Sequence, residues 1–219
     1  MHVLTADGSS TLFSEKYGEC YHSRHGAVQE SRHVFLQMGL HALPPDLREI
    51  RILEMGLGTG LNALLTCLEA SDRQIHYLGL EAEPVAPALF PQLNYGDQIP
   101  AEKAQPTLEA ILQAPWEEAI SLSPTFTLEK RQVRIQDFEP GTDQQFDLIY
   151  YDAFAPDAQP ELWSEELFQK LFSWAAPGAF LTTYSAKGAV RRAMIAAGFS
   201  VEKLPGPPGK REMLRAHKA

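Results

Sequence analysis

Two short stretches hold the residues best suited to chemistry. RILEMGLGTGLNALL (51–65) is an apolar run ending in glycines at alternate positions, Gly56, Gly58 and Gly60. YYDAFAPDAQPELW (150–163) places Asp152 at the end of an apolar run, with Phe154 and Pro156 just behind it. Glycines lack a side chain, so the first stretch is a tight turn whose backbone can approach a ligand closely. A dinucleotide fingerprint would need its third glycine at position 61, which is Leu61. A phosphate loop would need Gly-Lys-Ser/Thr after four spacers, and no such string occurs. Glu54, two residues before the first glycine, would repel a pyrophosphate and suit a cation.

S-adenosylmethionine meets these terms, since it carries an ammonium group and a sulfonium but no phosphate. The cofactor set is then Glu54, Gly56, Gly58, Gly60 and Asn62 around the turn, with Glu81, Asp137 and Phe138 beyond it. Glu81 ends the next apolar run, 25 residues after Gly56, where a carboxylate can grip both ribose hydroxyls. Asp137 could accept from an adenine amino group, with Phe138 beside the ring. Asp152 is the candidate catalytic residue. A carboxylate that accepts an amine hydrogen orients the nitrogen lone pair and can take the proton as attack proceeds. Phe154 and Pro156 would shape an apolar rim, in a loop similar to the [DN]-P-P-[FYW] loop of amino-group methyltransferases.

The elements around these residues alternate. RILEMG reads as a strand and Leu61–Ala70 as a helix that abuts the glycine turn. Strands are expected at 75–81, 126–135, 146–154 and 179–185, and helices over Leu162–Ala175 and Ala189–Ala197. FSVEKL and REMLRA read as an antiparallel pair at the end. This α/β alternation predicts a doubly wound, mostly parallel sheet with ligands at the carboxyl ends of its strands. Residues 1–49, with a helix-like stretch near Ala27–Leu43, form an N-terminal extension or lid on a core domain of residues 50–219. A helical insertion is expected near 84–125, within a single compact domain.

Composition sets bounds. A length of 219 residues with 44% hydrophobic and 21% charged residues suits a globular protein. No apolar run is long enough for a membrane helix, and the N-terminus lacks the features of a secretory signal. Cys20 and Cys67 are isolated, so neither a disulfide framework nor a zinc site is expected, and the expected compartment is the cytoplasm. His22, His25 and His33 lack metal-ligand spacing, so no metal is expected. Net charge is −9, yet from Lys187 onward eight Lys or Arg face two acids, leaving −15 for the rest. The asymmetry points to an anionic partner near the C-terminal end.

The chain resembles the family of methyltransferase modules found in the bacterial tRNA-modifying enzyme MnmC and, standing alone, in MnmD. The matching strings are DGSSTLFSEKYGECYHSRHGAVQESRHVFL (7–36), ILEMGLGTGLNALLT (52–66), YYDAFAPDAQPELW (150–163), TTYSAKGAVRRAMIAAGFSV (182–201) and LPGPPGKREMLRA (204–216). The resemblance implies a class I, Rossmann-like methyltransferase fold with a seven-stranded sheet and S-adenosyl-L-methionine as methyl donor. It implies as acceptor the 5-aminomethyl group of a modified wobble uridine in tRNA, often 2-thiolated, and as product the 5-methylaminomethyl form. The bifunctional relatives add an FAD-dependent oxidase. No flavin is expected here, and a separate enzyme would supply the aminomethyl precursor. Lys187, Arg191, Arg192, Lys210, Arg211 and Arg215 become candidate phosphate contacts. Asp7, Tyr17, Tyr21 and His22 become a candidate lid over cofactor and uridine. A spermidine synthase-like aminopropyltransferase and a non-catalytic S-adenosylmethionine or nucleic-acid binder stay open as alternatives, as does the oligomeric state, for which a monomer is plausible.

Overall fold

A computed structural model describes residues 1–141 and 144–219. Three short strands, β1 (His2–Leu4), β2 (Ser10–Ser14) and β3 (Glu19–Cys20), form a small antiparallel sheet. Helix α1 (Ala27–Ser31) follows and widens into a π-helical stretch over Arg32–Gln37. The expected helix near Ala27–Leu43 is thus split, closing with a single 3-10 turn at Leu40–Ala42.

Next come β4 (Glu49–Met55), α2 (Leu61–Leu68), β5 (Gln74–Leu80), α3 (Tyr95–Gln98), α4 (Ala104–Gln113), β6 (Ala119–Ser123) and β7 (Phe126–Arg131). They are followed by β8 (Phe146–Tyr151), α5 (Glu165–Trp174), β9 (Ala175–Thr183), α6 (Gly188–Ala196), β10 (Ser200–Pro205) and β11 (Glu212–His217). Eight of the strands make one sheet in the order β10-β11-β9-β8-β4-β5-β7-β6. The five from β9 to β7 run parallel, while β6 joins β7, and β11 joins β9 and β10, antiparallel.

The sheet has eight strands rather than the expected seven, because the segment near 84–125 is not wholly helical. Its end, AISLS, forms the edge strand β6, half-exposed and bulged between Ser121 and Ser123. Irregularity of this kind is common at sheet edges. The strand expected over 126–135 stops at Arg131, and the chain turns at Arg134–Phe138. The helix expected from Leu162 starts at Glu165, where Ser164 accepts from the Leu167 amide and two glutamates fill the first turn. The terminal antiparallel pair lies where the sequence put it.

Period-two alternation in the central strands sends their side chains into two cores. Ile50 and Ile52 of β4 pack with Leu64 of α2, Ile111 of α4 and Phe35 and Leu40 of the N-terminal region. Leu53 and Met55 pack on the other face with Phe168 of α5 and Met194 of α6. Burial on both faces makes β4, β5 and β8 the rigid centre of a three-layer fold. The chain leaves β4 toward β5 on one side, and β8 flanks it on the other. That strand-order reversal opens a crevice at the carboxyl ends of the strands. Among the described residues no helix is long and apolar enough to cross a membrane.

Candidate active site

A cavity of about 470 Å³ occupies that crevice. Its floor is the glycine turn. The Gly56 and Leu57 amides both donate to Leu80 O, at 3.0 and 3.1 Å, tying the turn to the end of β5. Gly56 has φ +87°, and a Cβ there would lie 2.4 Å from Asp152 O. Gly58, at φ +52°, lies under the Tyr21 ring. A side chain at either position would be strained by the positive φ, and at Gly56 it would also collide with backbone, which is why the turn needs glycine. Gly60 also has positive φ but faces Ile111 of α4, away from the cavity.

Glu81 stands at the tip of β5 and lines the cavity. Its two oxygens accept from the Gly58 amide at 2.9 Å and the Glu83 amide at 2.8 Å. Burial nevertheless raises its pKa above the usual carboxylate range. The Val133 amide donates to Glu81 O at 3.1 Å, and Val133, Arg134, Ile135, Gln136 and Leu162 also line the cavity. Asp137 and Phe138 do not. Asp137 is exposed and pairs with Arg134 at 3.3 Å, and Phe138 packs edge-on against Trp174. With β7 ending early, the turn carries both past the cavity rim.

Asp152 follows β8 and lines the cavity. Its amide donates to Met55 O at 3.0 Å, and its Oδ2 accepts from Asn62 Nδ2 at 2.9 Å. Its other oxygen, Oδ1, has no protein partner among the described residues. Burial is the main cause of a pKa pushed up to about 7, the nearby Glu30 charge adds to it, and Asn62 and Lys210 oppose it. The following loop is held from four sides. Besides Asn62, Tyr184 donates to Ala153 O at 2.7 Å, Trp163 Nε1 to Phe154 O at 3.0 Å, and the Ala155 amide to Glu19 Oε2 at 3.2 Å. Phe154 lines the cavity, whereas Pro156 lies beyond its wall.

Asn62 is shared. The same Nδ2 donates to Glu54 Oε1 at 2.8 Å, so one amide bridges two carboxyls. Glu54 itself is fully buried beneath the turn and does not line the cavity. Its pKa stands well above normal because of burial, with Asn62 and Tyr77 offsetting part of the effect.

The roof is the hairpin of β2 and β3. Tyr17 stacks on Phe154 with centroids 4.6 Å apart, and Tyr21 meets the same ring edge-on at 5.1 Å. Lys16 and Tyr17 both reach Glu83. His22 lines the cavity below them. Asp7 does not join this roof. It accepts from Thr5, from the Ser9 amide and hydroxyl and from the Gln29 amide, pinning the N-terminal turn to α1. Among the described residues no three His, Cys, Asp or Glu side chains form a metal-sized group.

The basic residues are divided. Lys210 turns inward, pairing with the buried Glu30 at 2.6 Å and lying 3.8 Å from the Tyr184 ring centre. Lys187 pairs with Asp157, and Arg215 pairs with Glu202 at 2.6 Å and also donates to Met38 O. Arg191, Arg192 and Arg211 have no acidic partner among the described residues. Glu30 is the neighbour the sequence reading missed, an acid on the buried side of the helical stretch AVQESRHVFL.

The cavity fits S-adenosyl-L-methionine on its own terms. It offers a glycine cradle, a carboxylate at a strand tip, apolar wall residues Val133, Ile135 and Leu162, and an unengaged Asp152 oxygen.

Comparisons with known proteins agree. The family described as S-adenosyl-L-methionine-dependent methyltransferase matches residues 103–219. The chain is 32% identical to the tRNA 5-methylaminomethyl-2-thiouridine biosynthesis bifunctional protein MnmC of Chromobacterium violaceum, over 91% of this chain and 32% of that protein. It is 35% identical to the MnmC of Ectopseudomonas mendocina, over 96% of this chain and 34% of that protein. It therefore spans about a third of the length of these curated relatives. The crystal structure of MnmC2 from Aquifex aeolicus superposes with a TM-score of 0.77 at 26% identity, covering 98% of this chain and 69% of that one. Streptomyces venezuelae DesVI shares the fold, at 13% identity and a TM-score of 0.52, over 88% of this chain and 92% of its own.

Proposed function

Because the chain belongs to the S-adenosyl-L-methionine-dependent methyltransferase family, we propose that it methylates the amine of a 5-aminomethyl-(2-thio)uridine at the tRNA wobble position. The product is 5-methylaminomethyl-(2-thio)uridine. The observation that carries the reading is Asp152, fixed at a strand end with one oxygen held by Asn62 and the other facing the cavity without a partner. The name shared by the MnmC relatives, tRNA 5-methylaminomethyl-2-thiouridine biosynthesis, supports the choice of acceptor.

Glu81 would hold the ribose hydroxyls, the turn at Gly56 and Gly58 would receive the backbone side of the cofactor, and Val133, Ile135 and Leu162 would flank the adenine. When bound, S-adenosyl-L-methionine supplies a methyl group on a positively charged sulfur. Asp152 Oδ1 accepts a hydrogen from the acceptor amine and thereby aims its lone pair. The carboxylate also gives the amine proton a destination as nitrogen becomes positive. The locked loop 152–156 keeps Oδ1 in place, and the Tyr17–Phe154–Tyr21 group forms an aromatic mouth suited to a splayed base. Arg191, Arg192 and Arg211 supply phosphate contacts that position tRNA without reading sequence.

The test is to incubate the protein with methyl-labelled S-adenosylmethionine and tRNA whose wobble uridine stops at the aminomethyl stage, then analyse nucleosides by mass spectrometry. The expected result is label on the 5-methylaminomethyl nucleoside. Unlabelled tRNA, or an aminopropyl adduct when the decarboxylated donor is offered, would refute it.

A further inference from the structure

We propose that His22 reads the carboxylate of the methyl donor's amino-acid tail, through an Nε2–H held pointing into the cavity. The inference rests on the methyl-donor reading of this cavity and assigns His22 to the donor rather than to the uridine.

The ring's neighbours suit one tautomer. Thr11 Oγ1 accepts the His22 backbone amide at 3.0 Å, which leaves the Thr11 hydrogen free for His22 Nδ1 at 3.3 Å. The Tyr95 hydroxyl lies 3.5 Å from the same nitrogen and is itself fixed by Thr59 Oγ1 at 3.0 Å. Both neighbours of Nδ1 are hydroxyls able to donate to it, and with Nδ1 accepting the ring proton sits on Nε2. Burial pushes the His22 pKa down to about 4, and Glu30 and Asp7 restore only part of the loss. The ring is therefore neutral at physiological pH, with one acceptor nitrogen already engaged and one donor. Among the described residues Nε2 has no protein partner, although the side chain lines the cavity. A donor left unused at a cavity wall fits an acceptor on the ligand.

The position selects which acceptor. Glu81 marks the ribose end of the cavity, beside the side wall from Val133 to Gln136. His22 is joined to Thr59 through the Tyr95 hydroxyl, and Leu61 and Asn62, just beyond Thr59 in the chain, also line the cavity. Those residues enter α2, whose first amides have no partners within the helix and carry a partial positive charge. With the ribose at Glu81, the amino-acid tail extends toward this end. Its ammonium has nothing to gain from an N–H donor, whereas its carboxylate accepts one. A carboxylate reader also selects the full donor over its decarboxylated form, which separates methyl from aminopropyl transfer at the level of binding.

Calorimetry with two ligands tests this without turnover. S-adenosylhomocysteine carries the amino-acid tail, and 5′-methylthioadenosine is the same nucleoside thioether without it. His22→Phe should weaken S-adenosylhomocysteine by about tenfold or more, the scale of one hydrogen bond to a charged group. Methylthioadenosine should stay within about twofold, which also reports that the variant is folded. His22→Gln, which keeps an amide donor near the Nε2 position, should recover most of the loss. Equal weakening of both ligands would make His22 a purely structural residue and overturn the inference. Unchanged affinity for both would do the same and return His22 to the uridine. If the unmodified protein bound neither ligand, the methyl-donor reading itself would fall.

Discussion

Replacing Asp152 should alter the shape of the pH profile as well as the rate. An amine acceptor resembles lysine, whose reference pKa is about 10.4, so most of it is protonated near neutrality before the ring and site shift it. The carboxyl that must help is itself raised to about 7 by burial. At pH 7 about half of it is ionised, and at pH 6 about a tenth. Activity therefore falls as pH drops, by about tenfold per unit from this group, in addition to the fall from amine protonation. In kcat/KM, which reports the free enzyme, the two losses give a logarithmic slope of about two below pH 7. Asp152→Asn keeps an acceptor oxygen but cannot titrate, so its slope should drop to about one. Asp152→Ala should lose about 100-fold or more in single turnover. If Asn matches Asp above the amine's pKa, the carboxylate orients, and if Asn is dead at every pH, it takes the proton. Glu30→Gln should move the limb to lower pH and Lys210→Met to higher pH, since the first charge raises the Asp152 pKa and the second lowers it. An Asn or Ala variant with the parent rate and profile would leave Asp152 as a residue that only pins the loop, and the catalytic assignment would be wrong.

Glu81→Ala should weaken S-adenosylhomocysteine by at least about tenfold, or about 1.4 kcal/mol, in calorimetry, and the parent protein should bind no NADH. Unchanged affinity would remove Glu81 from the ribose. Glu54→Gln should retain the fold, because the Asn62 bond to Oε1 survives. Its folded pKa lies above the unfolded value, so the native state holds the proton longer and stability falls as pH rises from about 4.5. Denaturant titrations should show that fall shrinking in the Gln variant, and an identical pH dependence would mean Glu54 does not titrate in the fold. Changing Arg191 and Arg211 to Ala should lower the salt slope of tRNA binding by roughly 0.7–0.9 per lost phosphate contact. No change in slope would leave them as plain surface charge.

The strand–helix alternation was legible because β4, β5 and β8 are apolar on both faces, and the strand ends could be placed from that. Asp152 and Glu81 were legible for the same reason, each standing one residue beyond an apolar run. Glu54 was misleading. It lies on the face of β4 shared with Ile50 and Ile52, so it points at α2 and Asn62 instead of the ligand. Periodicity contained that answer, but proximity to the glycines outweighed it. Asp137 went wrong through a boundary, since the alternation in FTLEKRQVRI runs past the real strand end at Arg131. The lid was half legible. The family resemblance offered Tyr17 and Tyr21, but only tertiary contact shows that both meet Phe154, far along the chain.

Charge placement reconciles an acidic protein with the polyanionic partner proposed for it. The eight basic residues from Lys187 onward do not act together. Lys187, Lys203, Lys210 and Arg215 are each committed to an acid, and Lys218 caps carbonyls of Phe172 and Ala175. That leaves Arg191 and Arg192 on α6 and Arg211 before β11 as the unpaired cations of this region among the described residues. Lys210, one residue from Arg211, illustrates the division. Its ammonium is spent on Glu30, whose carboxylate is nearly buried and would otherwise be an uncompensated charge beside Asp152. Adjacent residues on one loop thus differ, Arg211 being exposed and free to meet the proposed tRNA phosphates while Lys210 turns inward onto Glu30 beside Asp152. Lys210→Ala should therefore lower turnover and stability while leaving the tRNA salt slope unchanged, and Arg211→Ala should do the reverse. Measuring salt slope and single-turnover rate on both variants separates the roles, and a Lys210 variant that lost salt slope without losing rate would show that the inward pair does not persist in solution.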